Sequence, residues 1–345
     1  MSEVGAPRKR PTLAGVASAA GVSLATVSKV LNGREDVAED TRAHVLRMLE
    51  QHDYVASPKR RKPGVRRTIG LVFDDFMSPY ATELIRGVTD TGGELDIDVV
   101  VGRFSGPSAP GSRTRTWAQR LSSAGRDGVV IVTSDLDPGQ VRSFQKAHLP
   151  LVVIDPVHTP EAEVTSIGVT NWTGGLSATE HLIGLGHQRI AYLGGPSEAA
   201  VNLARRHGYR AAMERAGLPC PPELAVDAGF GFEAGVRTGS HLLDLAERPT
   251  AVFAVTDVTA LGVIQAAHSR GLRVPEDLSV VGFDDTYMAE WATPALTTVH
   301  TPLQDVGRLA VRTLKRLMEG ETVDSHHIEL ATNLVVRDST TQPPP

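Results

Sequence analysis

From Thr68 onward the chain alternates short apolar runs with longer amphipathic ones, a rhythm that few folds accommodate. TIGLVF (68–73), DIDVVV (96–101), DGVVIV (127–132), LPLVVI (149–154), RIAYLG (189–194), TAVFAV (250–255) and LSVVGF (278–283) read as strands. Helical spacing falls over 79–91, 115–124, 173–185, 202–216, 232–246, 258–270 and 303–318. Strands that are apolar on both faces and separated by helices predict parallel sheets covered on both sides. Two such series predict an α/β body over 68–338 with two doubly wound lobes and a break near 166–170. Lobe one is expected at 68–166 and 299–330, because late strands near 299 and 328 return to it, and lobe two at 167–298. Residues 339–345 are expected to be a disordered tail.

Composition removes several function classes. No apolar run approaches the roughly 18 residues of a membrane helix, and MSEVGAPRKRPTLAG holds no apolar signal segment. The single Cys220 cannot form an internal disulfide. A cytoplasmic protein without membrane contact is the expectation. GGPSE (194–198) lacks the Gly-Lys-Ser/Thr ending of a phosphate loop, and no HExxH or GxSxG is present. VFDD and GFDD end separate strands, with nothing else of a catalytic set beside them. We therefore expect no enzyme, no cofactor and no metal. Charge is distributed unevenly: residues 1–67 hold 13 basic against 7 acidic side chains, the remainder 22 against 33. A basic end on an acidic body fits a polyanion met at one end only.

That basic end, residues 1–57, begins with TLAGVASAAGVSLATVSKVLN, which is helical twice over. Leu13, Val16, Ala17 and Ala20 share one face behind Thr12 as N-cap, and Gly21 supplies a sharp turn. Ser23 can cap a second helix whose Val27, Val30 and Leu31 point inward, and a third follows with Val45, Met48 and Leu49 inside. This is the pattern of an all-α helix-turn-helix domain. On the second helix Leu24, Ala25, Ser28, Lys29 and Asn32 lie on the outward side. A surface helix with two stray apolar residues would carry the same composition. The tight helix–glycine–helix spacing favours a reading helix, whose Leu24 and Ala25 meet thymine methyl groups while Lys29 and Asn32 reach base edges or phosphates.

TLAGVASAAGVSLATVSKVLNG, followed by VAEDTRAHVLRMLEQHDYVAS, resembles the DNA-binding head of the lactose-repressor (LacI) family. The resemblance implies that Leu24, Ala25 and Lys29 read bases. It also implies that Thr12, Ser23, Thr26, Ser28 and Asn32 hold phosphates or position the helix. The linker departs from the family. SPKRRKPGVRR (57–67) has six basic residues and no leucine, where the family usually presents a leucine to the minor groove. Over 58–67 we expect an electrostatic clamp in which Lys59, Arg60, Arg61 and Lys62 lie on phosphates or in a narrow minor groove. A solvated linker is the alternative.

In the body, polar and aromatic side chains gather where strands end, the place at which open parallel sheets bind ligands. Asp74, Asp75 and Tyr80 follow the first strand, Asp155 the fourth, Thr256 and Asp257 the sixth, and Asp284 and Asp285 the seventh. Asn171 and Trp172 open a helix, and Asn202 and Arg205 follow RIAYLGG. Such a set suits a neutral polyhydroxylated ligand. SATEHLIGLGHQRIAYLGG, ARRHGYRAAMERAGL and FAVTDVTALGVIQAAHSRGLRVPEDLSVVGFDD are similar to the LacI-type sensor, a periplasmic-binding-protein-like body. The resemblance implies that Arg205 and Asp284 are the main ligand-holding residues, with Trp172, Tyr80 and Thr256 beside them. Thr256 and Thr170 stand where the family often has asparagine and aspartate. Asp257 is expected to cap a helix, and Asp285, His181 and His187 to be structural.

Taken together, these features predict a homodimeric transcriptional regulator, a repressor by the family's usual behaviour, on a near-palindromic operator and controlled by a small sugar between two lobes. TNWTGG and the basic linker resemble regulators of xylose- or xylan-derived sugar use in actinobacteria, which points to xylose or a xylo-oligosaccharide. The alternatives are a nucleoside- or purine-responsive regulator of the same fold, and a sugar-binding protein without a DNA role.

Overall fold

The computed structural model describes residues 12–31, 36–52, 66–74, 77–103, 117–133, 136–158 and 163–344. The head holds α1 (Leu13–Ala19), α2 (Leu24–Leu31) and α3 (Glu39–Gln51). Thr12 caps α1, its hydroxyl accepting from the Gly15 N–H at 3.1 Å. At Gly21 the backbone takes φ +63°, which a side chain would disfavour, and α1 and α2 then cross at 103°. Val16, Ala17, Ala20, Val27, Val30, Val45 and Leu49 are buried together, so three short helices close one core.

The first lobe is built from β1 (Arg67–Phe73), α4 (Pro79–Glu94), β2 (Ile97–Arg103), α5 (Trp117–Ser123), β3 (Gly128–Val132), α6 (Pro138–Lys146), β4 (Leu151–Ile154) and β5 (Thr165–Val169). The second follows with α7 (Asn171–Gly184), β6 (Ile190–Gly194), α8 (Ala200–Arg215), β7 (Ala225–Asp227), α9 (Phe232–Leu243), β8 (Ala251–Ala254), α10 (Asp257–His268), β9 (Ser279–Asp284), α11 (Tyr287–Trp291) and β10 (Thr297–His300). The chain then supplies α12 (Leu303–Met318), β11 (His327–Leu330) and β12 (Asn333–Val335). One sheet runs β11-β5-β4-β3-β1-β2 and the other β12-β10-β9-β8-β6-β7. Every pairing is parallel except β10 with β12.

The sheets bury both faces, as their unbroken apolar runs require. Residues 128–132 and 190–194 are buried without exception. The helix α12 belongs to the first lobe: Leu303, Val306, Ala310, Val311 and Leu314 share a core with Ile69, Leu84 and Val130. The chain therefore passes between lobes at 170, at 301–302 and at 331–332.

Three expectations need correction. The strand near 299 stays in the second lobe, because β10 pairs in parallel with β9, and the return to the first lobe comes only after it. The first lobe runs through β5, which pairs with β4 and β11, so a boundary at 166 cuts a strand. The expected disordered tail is ordered over its first residues. Ser339 is fully buried: the Val280 N–H donates to its carbonyl at 2.9 Å and the Thr297 N–H to its hydroxyl at 2.8 Å. Serine and threonine hydroxyls there complete the starts of β9 and β10, a role that local composition conceals.

Candidate functional site

On the head, Leu24 is 51% exposed, and Ala25 and Lys29 are exposed beside it. The Ser23 hydroxyl accepts the Thr26 N–H at 3.0 Å and lies 2.8 Å from the Thr26 hydroxyl. These two hydroxyls cap α2, and Thr12 caps α1, so all three sit at helix starts with their first hydrogen bonds made within the head. Ser28 is half-buried. Lys29 is held by Asp36 at 2.7 Å, an ion pair with both side chains at least half exposed. Asn32 and the linker residues Lys59, Arg60, Arg61 and Lys62 lie outside the described residues.

In the body, the side chains that end the strands converge between the lobes. Pro79 starts α4 behind the Ser78 cap, which sets Tyr80 in the first turn. The Tyr80 hydroxyl donates to Asp155 at 2.6 Å. Across from this pair, the second lobe offers Arg205 and Asp284, each less than a tenth exposed. Arg205 donates to the Asn171 side-chain oxygen at 2.8 Å and to the Val255 carbonyl, and its guanidinium lies 3.6 Å over the Phe283 ring. That leaves its last nitrogen 3.5 Å from Asp284 Oδ1, a buried oxygen with no hydrogen-bond donor of its own. The backbone φ at Asp155 is +43° and at Asp284 +107°, sparsely populated for non-glycine residues and often found where function holds them.

Glycines make the Asn171–Arg205 contact possible. A Cβ at Gly175 of α7 would meet the Arg205 carbonyl at 2.3 Å, and one at Gly208 of α8 would meet the Trp172 carbonyl at 2.2 Å. Only bare backbones let the two helices cross this closely.

The electrostatics follow from two carboxylates and one guanidinium in a dry place. Burial pushes Asp284 well above the usual carboxylate range; Arg205 opposes that, while Asp257 and Asp155 add to it. Burial also raises Asp155, against the Tyr80 hydroxyl and Arg205. Tyr80 is driven well up by burial and then by Asp155. The cleft thus disfavours added negative charge and presents acceptors in want of donors.

The structure brings together Tyr80, Arg205 and Asp284 of the expected set. Thr256 is different. Its hydroxyl accepts from Thr259 N–H at 3.1 Å and lies 3.1 Å from the Phe230 carbonyl, so it is spent as the cap of α10. Asp257, expected as that cap, is instead the first residue of the helix, buried, and takes hydrogen bonds from Thr298 and Thr286. Trp172 is 47% exposed on the first turn of α7, next to Asn171. Asn202 is structural, bonded to Tyr192, Gly195 and Asp227. Sequence reading underused Asp155 and Asn171 and missed Phe230, whose ring packs on the open face of Gly195 at the end of β6. A lone aspartate after LPLVVI was the available signal for the first.

Comparison with known proteins adds the ancestry. Residues 12–57 match the family "Bacterial regulatory proteins, lacI family", and residues 179–340 match a periplasmic binding protein-like domain. Catabolite control protein A of Priestia megaterium is 31% identical over 95% of this chain and 99% of its own. The chain belongs to the LacI family. Another member, the HTH-type transcriptional regulator CelR of Thermobifida fusca, is 34% identical over 96% of this chain and 99% of its own. A solved CelR–cellobiose complex superposes with a TM-score of 0.71, at 34% identity, covering 96% of this chain and all of that one. The lac repressor dimer bound to operator and an anti-inducer superposes with a TM-score of 0.69, at 27% identity, covering 96% of this chain and all of that one. As a LacI-family member the chain is a DNA-binding transcriptional regulator and not an enzyme. Among the described residues no single helix is long and apolar enough to cross a membrane.

Proposed function

We propose that this LacI-family regulator is a cytoplasmic homodimeric repressor that holds a near-palindromic operator and releases it when a neutral sugar fills the cleft between its lobes. Leu24, Ala25 and Lys29 read bases, with Ser28 and Asn32 beside them and Thr12, Ser23 and Thr26 placing the helix starts against phosphates. Lys59, Arg60, Arg61 and Lys62 add a clamp along the backbone. Tyr80, Asp155, Arg205 and Asp284 receive the sugar hydroxyls, and Trp172, exposed at the first turn of α7, lies over the ring. Val100 and Val101 on the edge strand β2, each 40% exposed, and Trp291, 74% exposed, are apolar surface that a second copy would cover.

The observation that carries the effector reading is the orphaned Asp284 oxygen: a buried acceptor without a donor is costly until a ligand hydroxyl supplies one. An anionic effector would instead add charge to two buried carboxylates. CelR is known with cellobiose, so sugars of both mono- and disaccharide size belong in the test. Titration calorimetry of the intact protein against xylose, xylobiose, hexoses, cellobiose and purines is expected to give saturable heat with a neutral sugar. Tight purine binding with silence from every sugar would overturn the effector assignment. Arg205→Ala is expected to keep operator binding and lose the sugar response, read by gel shift with and without sugar.

A further inference from the structure

We propose that the chain carries a second small-molecule site, separate from the Tyr80–Asp155–Arg205–Asp284 cleft, that takes a zwitterion of the α-amino-acid type. A cavity of about 420 Å³ lies beyond the Asp284–Thr286 turn, walled by α4 and α12 of the first lobe, by α11 and β10 of the second, and by the 301–302 crossing. Consecutive aspartates divide it from the cleft. With φ of +107° and +54°, Asp284 turns to Arg205 while Asp285 turns to His300 at 2.9 Å and Arg337 at 2.7 Å. The volume is that of an ordinary ligand pocket.

Its lining is charged, and most of the charge is already matched. Asp285 holds both its partners, Arg308 pairs with Asp305 at 2.7 Å, and Gln304 donates to Glu83 at 2.8 Å. Among the described residues three lining charges lack an ion-pair partner: Glu83, which has only the neutral Gln304 amide, and Arg86 on α4 and Glu290 on α11, which have no side-chain partner of either kind and stand one on each lobe. A further group is also unmet. Thr301 is 3% exposed and its hydroxyl, buried in this lining, has no hydrogen-bond partner. A buried hydroxyl left unbonded costs free energy that a ligand or water recovers. A net anion would face the Glu83, Asp285, Glu290 and Asp305 carboxylates, and a net cation would face Arg86, Arg308 and Arg337. A molecule with one end of each sign matches Arg86 and Glu290 together, and the Thr301 hydroxyl belongs to the same lining. Because the two charges belong to different lobes, occupancy depends on the lobe angle, and the zwitterion acts as a second effector of operator affinity.

The test is calorimetry on the intact protein with the common α-amino acids, and with acetate and ethylammonium as half-ligands. At least one amino acid is expected to bind, with both half-ligands silent. Arg86→Ala, Glu290→Gln and Thr301→Val are each expected to weaken that binding about tenfold or more, while Arg205→Ala, outside this lining, still binds the amino acid. Silence from every amino acid overturns the proposal, as does binding that survives all three substitutions. Loss of binding in Arg205→Ala places the ligand in the cleft and also overturns it. So does a change in subunit dissociation with no amino-acid heat, which assigns the cavity to the contact between copies. A sugar titration run alongside, each ligand on protein free of the other, keeps the two readings apart, since failure of one site leaves heat from the other.

Discussion

Lys29 already has a partner in the free head. It is paired with Asp36 at 2.7 Å, in the open, where such a pair contributes only about 0–1 kcal/mol. A phosphate or guanine edge competes easily with that. Lys29→Ala is expected to cost about 1–3 kcal/mol on the preferred operator and less on random duplex; equal losses on both would make Lys29 a backbone contact. Asp36→Asn frees the ammonium and removes a carboxylate from the DNA-facing side, so it is expected to tighten binding to all duplexes, most at low salt. Gel shifts of both variants on operator and scrambled DNA, at two ionic strengths, decide the matter. At this scale the sequence was informative wherever a side chain ends a strand or faces outward on a helix, hence Tyr80, Arg205, Asp284, Leu24 and Ala25. It misled at Thr256, because a threonine before a helix is as good a cap as a ligand, and only the Thr259 N–H bond shows which.

Among the elements, α7 and α8 approach each other backbone to backbone. Their crossing depends on Gly175 and Gly208, and Arg205 is held by Asn171 only because they cross so closely. Gly175→Ala overpacks this contact, expected to cost about 1–3 kcal/mol of stability. It should also weaken sugar binding while operator binding by the folded protein persists. A variant with unchanged sugar affinity would show that the crossing has no part in the site. The ordered segment 338–341 is a second element with a measurable consequence. His187 is buried, bonded to Thr250 and to the Thr341 carbonyl, and burial lowers its pKa from the ordinary value. The unfolded chain therefore binds a proton that the folded chain refuses, so this contribution is full above about pH 6.5 and is lost as pH falls below it. Urea unfolding should show a smaller loss of stability between about pH 7.5 and about pH 5.5 in His187→Asn than in the parent. Equal slopes would remove His187 as the cause. Periodicity revealed the long helices and the buried strands, but not β5, β7 or the 338–341 segment. Those are short, and a hydroxyl-rich stretch gains its place from partners far away in the chain, which local spacing does not register. The helix α6 also escaped the periodicity, although its start has a local signal: Asp137 and Gln140 exchange reciprocal bonds around Pro138, a capping box.

For the whole molecule, the decisive fact is that three short crossings join the two lobes. The backbone bond from Ala200 N–H to the Val157 carbonyl, at 2.8 Å, spans them, and the buried carboxylates of Asp155 and Asp284 face each other across Arg205. Burying two acids beside one counter-charge is costly; a sugar that hydrogen-bonds to both favours closure. If closure alters how two heads are held, operator affinity must change by whatever differential affinity the sugar has for the two states, and no more. Linkage then fixes a second measurement. The factor by which saturating sugar weakens operator binding must equal the factor by which saturating operator weakens sugar binding, each expected at about 5–150-fold. In Arg205→Ala both factors should fall to one together. Unequal factors in the parent would mean that the sugar acts by a route other than lobe closure, such as dissociation of the two subunits. Neutralising Lys59, Arg60, Arg61 and Lys62 separates the head's grip from this coupling. It should lower the slope of log affinity against log salt by about 0.9 for each phosphate that is no longer neutralised. The sugar factor should stay unchanged, because the clamp touches DNA alike whichever way the lobes stand. A slope that does not move would remove the clamp and leave the grip on DNA to α1 and α2.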